Sequence, residues 1–162
     1  TSVITKNKIL NVHKSQLILG KIKADKALKE LINFFEKKKS EYENIPDNII
    51  IDSWYPQPSV IPQCDLVIHH GGNNSFTECL YFGVPAIIMP YVWDGHDNAM
   101  RVQETKHGIK MHRSSWGEEE LLRNIDDTIN DDEISSNLKI ASEFMQSDNG
   151  AQNAAALIVD LN

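Results

Sequence analysis

The residues best able to do chemistry in this sequence lie between Leu66 and Asn98, and the densest group is LVIHHGGNNSFTECLYFGVP. Leu66, Val67 and Ile68 read as a short buried strand, closed by His69 and His70. Gly71 and Gly72 allow a tight turn and a close approach of backbone to ligand. Asn73, Asn74 and Ser75 favour a helix start, with Glu78 one turn further in. The helix runs through Phe82 until Gly83 and Pro85 stop it. Strand, glycine turn and helix start together form an anion site. Unpaired backbone N–H groups and the positive end of the helix dipole face one point.

The kind of anion follows from what surrounds the turn. There is no G-x-G-x-x-G dinucleotide fingerprint, and no Gly-Lys-Ser/Thr of a Walker loop follows. A carboxylate just inside an anion-binding helix repels bare phosphate. It suits a ligand with hydroxyls beside its phosphates, such as a nucleoside diphosphate with its ribose. Glu78 can accept two ribose hydroxyl hydrogens in charge-assisted bonds. His70, at the mouth of the turn, can donate to a phosphate oxygen. Taken singly, each residue fits a plain strand–helix connection equally well, and it is the joint spacing that points to a ligand.

The elements that must position these residues are legible from residue 45 onward. Pro46-Asp47-Asn48 is a turn, and Ile49-Ile50-Ile51 is a β-branched strand suited to a buried parallel sheet. Trp54 to Gln57 leaves its carboxyl end, and residues 59–63 read as a short helical turn. Ala86-Ile87-Ile88-Met89 is a second continuous apolar strand, closed by Pro90. A helix is expected over 98–107, with Asp97 as its cap. Gly108 is expected to end that helix and residues 109–112 to form an edge strand. Ser114-Ser115 is expected to cap a helix over 118–130 whose stripe is Leu121, Leu122, Ile125 and Ile129. Asp131-Asp132-Glu133 starts another helix through Met145, and a last helix covers 151–161.

Before residue 45 the pattern is weaker. Residues 25–42 read as a helix with an apolar stripe from Ala27 to Phe35, and residues 2–5 and 16–20 as strands. Either Leu17-Ile18-Leu19-Gly20 opens the sheet, or Val3-Ile4-Thr5-Lys6 is a second strand and the lysine-rich helix an insertion.

Trp54-x-Pro56-Gln57, His70-Gly71-Gly72-Asn73-Asn74-Ser75, Glu78, Gly83-Val84-Pro85, Pro90, Asp94 and Asn98 resemble the donor-binding signature of UDP-dependent glycosyltransferases. These are two-lobed GT-B enzymes that glycosylate small lipophilic acceptors, and the bacterial macrolide-type and arthropod members are the most similar. The resemblance covers 49–157 and is most specific over 54–98. It implies a single C-terminal nucleotide-sugar-binding domain over 1–162, poorly matched at 1–44 and well matched at 45–162. It also implies that Trp54 walls the uracil and Gln57 meets base or ribose. A planar apolar face beside an amide can recognise that base. The pyrophosphate would sit on Gly72, Asn74, Ser75 and His70, the ribose on Glu78 and the sugar on Asp94. The family has a glutamine after this acid, and here Gly95 stands in its place, so His96 is the substitute reader of a sugar hydroxyl. The catalytic His/Asp pair belongs to an N-terminal lobe that also takes the acceptor. This chain alone is therefore expected to bind UDP-sugar weakly and not to turn over. A single-lobe subunit of a split glycosyltransferase and a non-catalytic nucleotide-sugar-binding module are the other readings.

No cofactor is expected, since UDP-sugar is a co-substrate. His69, His70, Asp94, His96 and Asp97 are a conceivable metal set. However, adjacent strand residues point to opposite faces, and no H-x-x-x-H or C-x-x-C pair exists. The chain has 162 residues, enough for one core, and its net charge of −7 argues against a nucleic-acid partner. No apolar run approaches a membrane span and no signal peptide is evident. Cys64 and Cys79 lie in apolar runs and read as small buried residues. Asn73-Asn74-Ser75 is formally a glycosylation sequon, read as unused because modification would block the site. The opening Thr suggests a piece of a longer protein. Membrane-anchored relatives carry a hydrophobic tail after this lobe, the sequence reaches Asn162 without one, and a cytoplasmic location is the expectation. Alternating strands and helices argue for an α/β, Rossmann-like, doubly wound and mostly parallel sheet. Trp54, His70 and Asp94 all leave strands at the carboxyl ends, where such sheets bind ligands.

Overall fold

Continuous apolar runs, rather than alternating ones, mark strands covered on both faces. LVIH and AII are such runs. They form β5 (Leu66–His69) and β6 (Ala86–Ile88), every residue of which is buried. The computed structural model describes residues 3–5, 8–10, 12–13, 16–19, 55–91 and 93–160. Trp54, the strand expected at 49–51 and the helix expected at 25–42 lie outside the described residues.

β6 pairs parallel with β5, Val67 opposite Ala86 and His69 opposite Ile88. It also pairs parallel with β7 (Gly108–Lys110), Ile87 opposite Ile109. On the other side of β5, β4 (Gln16–Leu19) runs antiparallel, Leu17 opposite Ile68. β3 (Val12–His13) runs antiparallel to β4, completing the order β3-β4-β5-β6-β7. β1 (Val3–Thr5) and β2 (Lys8–Leu10) form a separate antiparallel pair. Both N-terminal candidates for strands are strands. Neither is the parallel opening strand, since β4 meets β5 head to tail and β1 belongs to another sheet.

The parallel connections need crossovers, and helices supply them. α2 (Asn73–Phe82) joins β5 to β6, and α3 (Asp94–Glu104) joins β6 to β7. Phe76, Cys79, Ala99 and Val102 of these helices pack with Val67, Ala86 and Ile88 in one apolar cluster. Val60 of α1 (Gln57–Val60) and Ile61 of the following 3-10 turn (Ile61–Gln63) complete it. Strand alternation sends Ile68 and Ile87 to the opposite face. There α4 (Glu118–Asn130) packs on β5, β6 and β7, with Leu121 buried. Helices on both faces of the parallel β5-β6-β7 part of this mixed sheet give the expected α/β class.

α5 (Asp132–Ser147) lies along α2. Ser142 Oγ and Gln146 Nε2 both donate to the Tyr81 carbonyl, at 2.7 and 2.9 Å. Asp131 caps α5 as expected, its Oδ1 accepting from the amides of Glu133 and Ile134 at 2.8 and 3.0 Å. α4 has the expected bounds, but Gly117 precedes it and Ser114-Ser115 does not cap it. The Ser114 amide donates instead to His112 Nδ1 at 3.2 Å. Gly108 opens β7 rather than ending a helix. On α6 (Gly150–Asp160), Leu157, Ile158 and Val159 are exposed. Among the described residues, no helix is long and apolar enough to cross a membrane.

Candidate functional site

β5 ends at His69, and the chain turns through His70, Gly71 and Gly72 into α2. The two glycines are required for different reasons. Gly71 has φ +90°, a conformation L side chains rarely adopt, and a Cβ there would lie 2.7–2.9 Å from Gly95 O, Gly95 Cα and Ile88 Cγ2. Gly72 has an ordinary φ of −61°, so its backbone asks for nothing special. Space decides there, because a Cβ would sit 2.6 Å from His70 Nε2. The His70 imidazole therefore lies against the residue that precedes α2.

The first amides of a helix have no partner within it. At the start of α2 the Asn73 amide donates to Asp94 Oδ2 at 3.3 Å, and the Phe76 amide bonds back to the Gly72 carbonyl at 3.0 Å. The Asn74 amide meets no acceptor among the described residues, and its side chain is exposed. Ser75 is buried and its Oγ accepts from Gln57 Nε2 at 3.0 Å. The same nitrogen donates to Glu78 Oε2 at 2.5 Å. Ser75 and Glu78 stand one turn apart on α2, so α1 closes over that face of the helix through a single amide.

The structure thus brings together Gln57, Ser75 and Glu78 as one cluster, and His70, Gly72, Asn74 and Asp94 around the helix start. The Glu78 carboxylate accepts from the Gln57 amide that also reaches Ser75. Trp54 lies outside the described residues.

The stretch after β6 differs from expectation. Asp94 is already the first residue of α3, so residues 94–97 form a helical turn rather than a loop with a cap at Asp97. The cause is tertiary. Gly95 is buried, and a Cβ on it would lie 2.5 Å from the His70 carbonyl oxygen. Where the resemblance anticipates glutamine, this backbone instead packs directly on the glycine turn. His96 and Asp97 point to solvent from that helical turn.

Two further residues hold the site, and the sequence assigned them no role. Asn98 Nδ2 donates to the Gly71 carbonyl at 2.7 Å and to Asn73 Oδ1 at 2.8 Å, tying α3 to the turn. Its presence in the motif was the available signal. His69 is 1% exposed, and its Nδ1 accepts from the Gly71 amide at 3.0 Å. With Nδ1 accepting, Nε2 carries the hydrogen, and that buried atom has no partner among the described residues. Burial, assisted by the neighbouring His70, pushes the His69 pKa down from 6.5 to about 3, so the ring is neutral. Only burial reveals this role. Among the described residues, no three His, Cys, Asp or Glu side chains are grouped to hold a metal ion.

A parallel β5-β6-β7 core between helical layers, with a glycine turn feeding a helix start at its carboxyl end, is a Rossmann-like lobe, and solved glycosyltransferases of the GT-B class share it. The glycosyltransferase of kitacinnamycin superposes with a TM-score of 0.70 at 25% identity, covering 74% of this chain and 31% of that one. UDP-glycosyltransferase UGT4 of Dactylopius coccus is 29% identical over 137 residues, 83% of this chain. NDP-glycosyltransferase YjiC of Bacillus subtilis (strain 168) is 32% identical over 116 residues, 72% of this chain. The matches span 27% and 30% of the length of those two relatives. The model of the erythromycin biosynthesis protein CIII-like C-terminal domain matches residues 18–161, and the chain belongs to that family.

Proposed function

We propose that this lobe binds a UDP-hexose, with glucose as the default sugar. The complete protein would transfer the hexose to a hydroxyl of a small lipophilic acceptor held by an N-terminal lobe. One observation carries the reading: Gln57 meets Ser75 and Glu78 on the face of a helix whose start meets His70 and carries an Asn74 amide with no acceptor among the described residues. The names of UGT4 and YjiC, a UDP- and an NDP-glycosyltransferase, support a nucleotide-sugar donor.

In this reading the pyrophosphate rests on the helix start at Asn74 and Ser75, and His70 donates to it. Glu78 exchanges its bond from Gln57 for the ribose hydroxyls, which leaves the Gln57 amide to meet ribose or base beside Trp54. Asp94 takes hydroxyls of the sugar. The acceptor oxygen attacks the anomeric carbon and the bond to the diphosphate oxygen breaks. The electron pair leaves with UDP. The acceptor proton goes to a base in the other lobe, as the resemblance implies. The charge that develops on UDP is stabilised where the helix dipole and His70 converge. No metal or cofactor enters this scheme.

Titration calorimetry of the folded chain with UDP tests it. UDP should bind, and Glu78→Gln should weaken binding about tenfold to a hundredfold, the loss of bonds to a charged group. A folded sample giving no heat with UDP overturns the reading. A second reading, a single-lobe subunit completed by a separate partner protein, draws on the exposed Phe144, Leu157, Ile158 and Val159 of α5 and α6. Co-purification of such a partner would distinguish it.

A further inference from the structure

Trp93 stands out twice. Its backbone has φ 47° and ψ −124°, outside the regions open to L-residues, and its side chain is 87% exposed. Lys106 is the other described non-glycine residue with positive φ, at 53°, and it follows α3. Left-handed residues are common just after helices. A residue before a helix start has no such excuse.

Among the described residues, the chain is anchored at Met89 before Trp93 and at Asp94 after it. Behind it, the Met89 amide bonds the His69 carbonyl at 2.9 Å, which extends the β5–β6 pairing. Ahead of it, Asp94 is tied to the Asn73 amide, and Gly95 packs on the turn with no room for a side chain. The residue before Asp94 must absorb a sharp change of direction. Glycine would do so without strain. The chain places its largest side chain there and leaves it in water, where it gains no burial. Nothing within the described lobe offsets either cost, and strain of this kind collects at functional sites.

The position is informative. Successive Cα atoms are about 3.8 Å apart, so the indole is carried one residue from Asp94, whose carboxylate meets the first amide of α2 at 3.3 Å. Tyr91, two residues earlier, is also exposed, but the Arg113 guanidinium covers its ring at 3.6 Å from the centroid. A hexose has hydroxyls around its edge and a patch of C–H groups on its face. An aromatic ring carries negative charge on its face and attracts such hydrogens.

We propose that Trp93 is a specificity-determining residue of the donor site. Its indole face stacks on the C–H face of the donor hexose while Asp94 beside it takes hexose hydroxyls. The inference rests on the reading of this lobe as a nucleotide-sugar site. It also gives a platform for the sugar where Gly95 provides no side chain.

The experiment is calorimetry of this chain with UDP and with UDP-glucose, comparing the unchanged protein with Trp93→Ala, Trp93→Gly and Trp93→Phe. UDP affinity should stay within about twofold throughout, while UDP-glucose affinity falls roughly fivefold to tenfold in the Ala and Gly variants and is largely kept in Phe. Trp93→Gly should also raise the unfolding midpoint, because the strain is relieved. An unchanged ratio of UDP-glucose to UDP affinity overturns the inference and assigns the ring to the acceptor or to the other lobe. Equal losses for both ligands overturn it in favour of a structural role. If UDP itself does not bind the unchanged protein, the donor-site reading falls and this inference falls with it.

Discussion

Acidification should destabilise this fold through His69, by an amount that can be calculated. The ring is buried and neutral, and its pKa is depressed from 6.5 to about 3. The unfolded chain takes up a proton as pH falls through 6.5, while the folded chain refuses it until about 3. The contribution of the neutral ring is therefore complete above about pH 6.5 and is lost progressively below it. Each pH unit within that window removes roughly 1.4 kcal/mol, so going from about pH 7.5 to about pH 4.5 removes about 3 kcal/mol. That is a large fraction of the 5–15 kcal/mol, in round figures, that holds an ordinary domain together. His69→Asn is the informative comparison, because its Oδ1 can still accept from the Gly71 amide and it does not titrate. Urea unfolding of both proteins across that range gives the difference directly, since the carboxylates and other histidines are common to both and cancel. Wild-type stability minus variant stability should shrink by about 3 kcal/mol between the two pH values. Parallel stability curves would refute the buried neutral ring and the role of its Nδ1.

Gly95→Gln puts back the residue that the family resemblance anticipates and should nonetheless harm the protein. Replacing glycine within a helix gains up to about 1 kcal/mol in propensity, but a Cβ 2.5 Å from the His70 carbonyl meets backbone that cannot move aside. Overpacking of about 1–3 kcal/mol wins, and denaturant unfolding should show a net loss together with weaker UDP binding. A stabilised variant would mean that α3 is not locked on the turn. Asp131→Ala removes the two amide bonds at the start of α5 and should cost about 1 kcal/mol by the same measurement. UDP affinity, read by calorimetry, should be unaffected.

What could be read from the sequence was whatever local chemistry decides. Asp131 precedes a run of acids and an apolar stripe, and it caps α5. The bounds of α4 follow from its own charge and apolar pattern. LVIH and AII are strands because nothing polar interrupts them until the turn. The misplaced features were tertiary. α3 begins four residues early because Gly95 can lie on the His70 carbonyl, a contact between residues 25 apart in sequence that no local signal announces. Ser114-Ser115 has the composition of a helix cap, but the Ser114 amide is taken by His112. At the site, the spacing of Ser75 and Glu78 puts them on one face of α2, but the sequence does not show that Gln57 of α1 bridges them with one amide. Nor does it show the part played by His69, since that depends on a strand end being buried to 1% exposure.

With the Asp94 carboxylate resting on the first amide of α2, a negative charge sits beside the positive end of that helix. Chloride or inorganic phosphate drifting in from the medium encounters a fixed negative charge there and has little to gain. A guest that brings hydroxyl hydrogens gives the carboxylate something to hold in exchange for the amide. If the lobe takes a nucleotide sugar as proposed, UDP alone would bring no sugar hydroxyls for this carboxylate to hold, and Asp94 would favour the sugar-bearing molecule over the one that has lost it.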